Sequence, residues 1–170
     1  MLAIKFMLKF IAILNKDASP KQIAGGMALG SIAGITPLLS LHNLLVLFVL
    51  IVLNVNITAG ILAMGVFSAV AYLLDPLSNA IGYYLLTGVP ALTMFWTLLY
   101  NLPVVAWARL NNTLTLGSLV LSLLFFWPLF FLLWWGVILY REKLMARMAK
   151  LRIVTILKSS KLYGLYQSFS

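Results

Sequence analysis

Long apolar runs, separated by short polar or proline-containing breaks, fill most of this chain from residue 19 onward. A Gly/Ala-rich run breaks at Thr36-Pro37 and resumes as an apolar stretch, and a second run breaks in the same way at Asp75-Pro76. Proline is disfavoured inside a helix and favoured at its first position, so each proline indicates that a new helix begins. The pattern therefore predicts two helical hairpins, over residues 19–54 and 57–87.

Two later apolar runs are long enough to cross a bilayer, whose hydrocarbon core is about 30 Å thick. They cover residues 89–108, despite Pro103, and residues 114–140, where aromatic side chains are numerous. The first arm of the first hairpin is shorter, since residues 21–35 give about 22 Å of helix. That hairpin is either re-entrant, dipping into the membrane and returning, or a pair of tight spans with a buried turn.

The two proline breaks lie 39 residues apart and resemble each other. Superposing their Pro-Leu pairs also superposes Ala24 on Ala63 and Gly26 on Gly65. Helices broken at corresponding points of two repeats are typical of binding sites in membrane transporters. Chance similarity between Gly/Ala-rich membrane helices remains the alternative explanation of the match.

Basic residues concentrate at the two ends of the chain. Lys5, Lys9 and Lys16 form a polar stripe on residues 1–17, which predicts an amphipathic helix at the membrane surface, with the ragged start of a spanning helix as the alternative. The basic segment over residues 141–170 predicts a second surface helix on the anionic inner leaflet. The expected fold is all-α: a polytopic membrane domain over residues 18–140, with two hairpins, two spans and amphipathic helices at both ends.

Composition and charge support this interpretation. Hydrophobic residues make up 64% of the 170 residues and charged residues only 9%, too apolar for a soluble domain of this size. Eleven of the 12 Lys and Arg residues flank the apolar region, and Arg109 is the exception. The positive-inside rule then places both termini in the cytoplasm. The basic ends indicate contact with anionic lipid headgroups, and no nucleic-acid-binding pattern accompanies them.

Few side chains are available for catalysis. The chain has one histidine, three carboxylates and no cysteine, so we expect no metal site, no cofactor and no enzyme activity. One combination survives this count: His42 with Asp75, with Ser40 or Ser78 as a nucleophile. No nucleotide-binding loop is present in the sequence either, so any transport would depend on a gradient or on a partner.

The two proline turns form the candidate binding site. Two helix N-termini aimed at one place inside a membrane favour an anion such as a lipid headgroup. Asp75 would repel phosphate, but it could pair with a cationic headgroup or with Arg109, and an ionisable residue at membrane depth is a functional candidate. The simpler alternatives are a helix N-cap for Asp75, a local hydrogen bond for His42 and a loop anchor for Arg109. The predicted lipid-binding residues are Thr36, Pro37, Ser40, His42, Asn43, Asp75, Pro76, Asn79 and Arg109.

Glycines at a spacing of four are typical of closely packed membrane helices. Gly26, Gly30 and Gly34 have this spacing, and Gly65 corresponds to Gly26 in the superposition. We expect these four glycines to pack against neighbouring helices and not to contact a ligand.

The Ser19-Pro20, Gly26, Gly30, Gly34 and Pro37 pattern, followed by Asn54-x-Asn56 and Asp75-Pro76-x-x-Asn79, resembles the bacterial domain-of-unknown-function family 2062. The likeness covers about residues 18–86, and the family has Asn-Pro where this chain has Asp75-Pro76. The resemblance implies an inner-membrane location, and the short form is similar to a subgroup encoded beside a larger envelope protein, which implies a partner. The expected function is lipid handling, as a transporter or flippase-like component or as the intake subunit of an envelope lipid-transport complex. The alternative is a structural anchor or assembly partner with no substrate of its own.

Overall fold

A computed structural model describes residues 18–103 and 107–145. The predicted helix over residues 1–17 lies outside the described residues, as does the basic tail beyond residue 145. The described part is all-α, as predicted, and contains five α-helices: α1 (Pro20–Ile35), α2 (Leu41–Val52), α3 (Ile57–Tyr83), α4 (Thr93–Tyr100) and α5 (Thr113–Leu139). Shorter helical turns follow α3 at Tyr84–Gly88, precede α4 at Pro90–Leu92 and follow α5 at Tyr140–Met145.

Helix α1 is the centre of the molecule. Ser19 caps its N-terminus: the Gln22 amide donates to the Ser19 hydroxyl at 3.2 Å, and the Ser19 amide donates to the Gln22 side chain at 2.9 Å. Pro20 occupies the first turn, where its missing N–H costs nothing. Every residue from Ile23 to Ile35 is buried, so α1 is covered on all sides.

Helices α1 and α2 form a hairpin whose chain reverses over residues 36–40. Helix α2 returns to the level at which α1 began, because the Asn56 amide donates to the Gln22 carbonyl at 2.9 Å. The Gln22 side chain also donates to Asn54 at 3.0 Å. Asn56 then caps α3 by accepting a hydrogen bond from the Ala59 amide at 2.9 Å.

The second hairpin, predicted over residues 57–87, does not form. Helix α3 passes through Asp75-Pro76 without a break and ends at Tyr83. Proline inside a membrane helix is tolerated when neighbouring helices hold the segments on both sides. Here α1 packs on the part of α3 before Pro76, and α5 packs on the part after it. Asp75 therefore lies inside a helix, and the alternative that it serves as a helix N-cap is wrong.

The span predicted over residues 89–108 is also replaced by shorter elements. Pro90 opens a short turn, and α4 covers only Thr93–Tyr100, about 12 Å of helix. The Trp96 indole donates to the Leu85 carbonyl at 2.9 Å and so holds α4 back against the end of α3. The prolines at both ends of this run and the polar Asn101 explain why no continuous helix forms.

Two helices of the described part are long and apolar enough to cross a membrane: Ile57–Gly88 and Thr113–Lys143. The second contains the span predicted over residues 114–140. The first joins into one helix the two arms of the hairpin that was predicted to break at Pro76.

Glycines allow the long helices to approach closely. A side chain at Gly30 would strike the Gly60 carbonyl, one at Gly26 would strike the Asn56 carbonyl, and one at Gly34 would lie 2.6 Å from the Met64 carbonyl. The residue numbers rise together, so α1 and α3 run parallel, and the packing predicted for these three glycines is observed.

A second close approach joins α3 to α5 in the antiparallel sense. A Cβ on Gly82 would strike the Thr113 carbonyl, and one on Gly117 would strike the Ser78 carbonyl. A Cβ added to Gly65, in contrast, would have no heavy atom of another residue within 4 Å. The packing role predicted for Gly65 is therefore wrong. The superposition of Gly26 on Gly65 therefore has no counterpart in the packing.

Candidate functional site

An open, largely apolar groove lies where α1 ends and α3 and α5 continue. Its volume is about 440 Å³. We call it the Asp75 groove. Its walls come from the α1–α2 turn, the middle of α3 and the start of α5, and its lining residues are Gly34, Ile35, Thr36, Pro37, Leu38, Ser68, Ala69, Ala71, Tyr72, Asp75 and Leu114. The groove brings Thr36-Pro37 and Asp75 together, as the site prediction required.

The turn that forms one wall is organised by Asn43. Its side chain is 3% exposed, accepts from the Thr36 hydroxyl at 2.7 Å and donates to the Pro37 carbonyl at 2.9 Å. Longer contacts join the same amide to the Ala33 and Leu38 carbonyls, at 3.3 and 3.4 Å. Asn43 thus satisfies backbone groups that the chain reversal would otherwise leave without partners. Asn43 therefore has a structural role at the turn, and its predicted contact with lipid stays a prediction.

The capping pattern at this turn differs from the prediction. Thr36 ends α1 instead of beginning α2: its amide donates to the Ile32 carbonyl at 3.1 Å, and its hydroxyl oxygen lies 2.8 Å from the same carbonyl oxygen. Helix α2 begins after Ser40, whose hydroxyl donates to the Pro37 carbonyl at 2.8 Å and makes no side-chain cap bond. Because α3 continues through Pro76, only the N-terminus of α2 lies at this turn, and the predicted convergence of two helix N-termini is wrong.

Asp75 is half-buried on the α3 side of the groove. Within the described residues its carboxylate has no hydrogen bond and no ion pair, including none with Arg109. Pro76 follows it and has no N–H, and a proline cannot serve the carbonyl four residues earlier, which belongs to Tyr72. Tyr72 lines the same groove. This stretch of α3 therefore offers a carboxylate with no described partner, beside a Tyr72 carbonyl that lacks its usual helical donor.

A second groove lies on the other side of the same turn. Its volume is about 400 Å³, and Ser40, Asn43, Trp107 and Arg109 contribute to its walls. We call it the Arg109 groove. Leu38 lines both grooves, so the two grooves adjoin at this residue. Arg109 is the only described non-glycine residue with a positive φ, 53°, a conformation that such residues seldom adopt.

His42 lies apart from Asp75. Its Nε2 atom is 2.9 Å from the Ser40 hydroxyl, and its ring lines an apolar depression of about 680 Å³ with Leu44, Phe48 and Ala108. Neither residue lines the other's groove, so the His42–Asp75 combination considered for catalysis is not assembled. The local hydrogen bond expected for His42 is present, with a hydroxyl as its partner.

Two further predicted site residues lie outside the Asp75 groove. Asn79 accepts a short hydrogen bond from the Thr113 hydroxyl, which ties α3 to the start of α5. Pro76 is exposed on α3. Asn79 therefore holds α3 against α5. Pro76 does not line the groove, and its effect there is that the Tyr72 carbonyl lacks its usual helical donor.

Besides Asp75, which was predicted, α3 contributes four residues to the groove that the sequence interpretation missed: Ser68, Ala69, Ala71 and Tyr72. Ser68, Tyr72 and Asp75 follow one another at steps of four and three, so they share one face of the helix. That spacing was visible in the sequence. The assumed break at Pro76 drew attention to Asp75 as a cap and away from the helical face to which it belongs.

The fold and the two grooves define an all-α protein with two helices able to span a membrane. The chain belongs to the family described as uncharacterized protein conserved in bacteria (DUF2062), which it matches over residues 5–145. This match confirms the resemblance and extends it beyond the residues that suggested it. No curated protein and no solved structure matches the chain.

Proposed function

We propose that this protein handles phospholipid in the bacterial inner membrane, and that the Asp75 groove is where lipid binds. The observation that carries the proposal is the groove itself: the turn at Thr36-Pro37 and the carboxylate of Asp75 face an open cavity of about 440 Å³. A turn that served only as a structural support would be expected to be packed against its neighbours with no cavity beside it.

The surroundings of the groove suit a lipid. Small side chains, Ala69 and Ala71 on α3, give it a wide apolar wall. Leu38 and Leu39 at the turn are 59% and 92% exposed, and apolar exposure of this extent is stable only against lipid or another protein. A polar group beside an apolar trough matches the two parts of a phospholipid, and ligand sites in general combine apolar walls with a few polar groups.

A groove-filling variant tests the proposal. Ala71→Trp places a large ring in the groove, whereas Ala80→Trp makes the same change on the exposed surface of α3 outside the groove's lining. The protein is reconstituted into vesicles that contain a fluorescent phospholipid, and chemical bleaching of the outer leaflet measures lipid exchange. Exchange by wild type and Ala80→Trp, but not by Ala71→Trp, supports a flippase-like component.

The lipid-intake subunit of an envelope complex would behave differently in the same experiment. It would retain phospholipid on purification without moving it across vesicles, and Ala71→Trp would lose the retained lipid. If neither exchange nor retention depends on Ala71, the groove is not a lipid site. The structural anchor then becomes the better explanation. In that case a larger envelope protein should co-purify with this protein at a constant ratio after gentle extraction.

A further inference from the structure

Two charged side chains flank the hairpin turn, and neither has a partner among the described residues. Asp75 lines one groove, Arg109 lines the other, and Leu38 lies between them. Among the described residues neither side chain has a hydrogen bond or an ion pair, and they do not pair with each other. An ionised group in apolar surroundings is costly unless it is paired. A ligand that bridges the turn would supply both missing partners if it carried one charge of each sign.

The two sides differ in the chemistry that they offer. The Asp75 side presents a carboxylate, an acceptor that has no partner among the described residues. The Tyr72 ring, 80% exposed on the same groove, adds an aromatic face that attracts cations. The Arg109 side presents a guanidinium, which binds phosphate oxygens well.

We propose that the Asp75 groove and the Arg109 groove together form the headgroup site of a zwitterionic phospholipid that carries an ammonium group. The ammonium lies at Asp75 and Tyr72, and the phosphate lies at Arg109. This inference rests on the proposed lipid-handling function and adds the class of lipid. It also gives Asp75 a role that a negatively charged lipid would exclude, since a fixed carboxylate repels a second anion.

The test is a competition between two phospholipids. The protein is reconstituted into vesicles with equal amounts of phosphatidylethanolamine and phosphatidylglycerol, extracted gently, and its bound lipid is identified by native mass spectrometry. We expect wild type to enrich phosphatidylethanolamine about two- to fivefold, the effect of one partly exposed ion pair. Asp75→Asn should abolish the enrichment. Glu142→Gln, which removes a carboxylate at the opposite end of α5, should retain it.

Arg109→Gln should lower retention of both phospholipids equally, because both carry phosphate, and Lys143→Gln should have no such effect. Melting curves check folding. Asp75→Asn should have the same melting temperature as wild type, because Asp75 makes no hydrogen bond or ion pair with a described residue. The inference is overturned if wild type shows no enrichment or if folded Asp75→Asn keeps it. Phospholipid retained without preference overturns this inference and leaves the proposed function standing. If the protein retains no phospholipid and also exchanges none in the vesicle assay, both are overturned.

Discussion

At the scale of single residues, the hairpin depends on one buried amide. The reversal from α1 to α2 leaves carbonyl groups at Ala33, Pro37 and Leu38 without helical partners, and the Asn43 side chain contacts all three. The sequence placed Asn43 among the predicted lipid-binding residues of the proline turns. It could not show whether the amide meets a ligand or the backbone, because residues several positions away supply its partners.

Replacing Asn43 should destabilise the protein more than its small size suggests. Asn43→Ala leaves buried carbonyl groups unpaired, and we expect a loss of about 1–3 kcal/mol in unfolding free energy. Asn111→Ala, at an exposed position near the start of α5, is the matched control and should change stability little. Thermal melting in detergent compares the two. Equal melting temperatures for both variants would mean that water or lipid satisfies the turn without Asn43.

At the scale of elements, the two Pro-Leu breaks show what local sequence decides and what it does not. Both look like helix ends, yet only the first one ends a helix. After Pro37 the chain finds hydrogen-bond partners in Asn43 and turns back. Around Pro76 the helix is held on both sides, by Gly30 against Gly60 before it and by Gly82 against Thr113 after it. An interior proline costs about 3 kcal/mol or more, and contacts between helices far apart in sequence outweigh that cost here.

The same reasoning separates two glycines that look alike in the sequence. Gly30→Ala places a methyl group against the Gly60 carbonyl, and overpacking of this kind costs about 1–3 kcal/mol. Gly65→Ala meets nothing within 4 Å and gains helix propensity of up to about 1 kcal/mol. We expect Gly30→Ala to lower the folded yield in detergent and Gly65→Ala to preserve or raise it. The reverse order would show that α1 and α3 are not packed through Gly30.

At the scale of the whole molecule, both ends of the described chain meet on one side. Lys21 lies 4.9 Å from the centre of the Trp134 ring, and Arg141 donates to the Ala18 carbonyl at 2.8 Å. The start of α1 therefore lies beside the end of α5. The sequence placed both basic flanks on one side from charge alone, and this geometry is compatible with that placement.

This arrangement yields a topology prediction. Because the basic flanks favour the cytoplasmic side, reporter fusions at residue 1 and at residue 170 should both give cytoplasmic signals. Alkaline phosphatase should be inactive and a fluorescent protein active at both positions. A periplasmic signal from either fusion would contradict the positive-inside assignment.

The depth of the hairpin turn is the last prediction at this scale. Helix α1 has 16 residues, about 24 Å, which is less than the hydrocarbon core of about 30 Å. The turn lies beside Ser68–Tyr72 of α3, and α3 continues to Tyr83. We therefore predict a re-entrant hairpin with its turn inside the membrane, and not two full spans.

The chain has no cysteine, so single cysteines can report this depth directly. A thiol reacts as the thiolate, which does not form in lipid, so Leu39→Cys at the exposed turn should resist a membrane-impermeant maleimide from either side. Asn111→Cys, on the connection before α5, should react from the periplasmic side. Both cysteines should react after denaturation, which controls for their presence. If Leu39→Cys reacts together with Asn111→Cys in intact membranes, the turn reaches the far surface and α1 and α2 are complete spans.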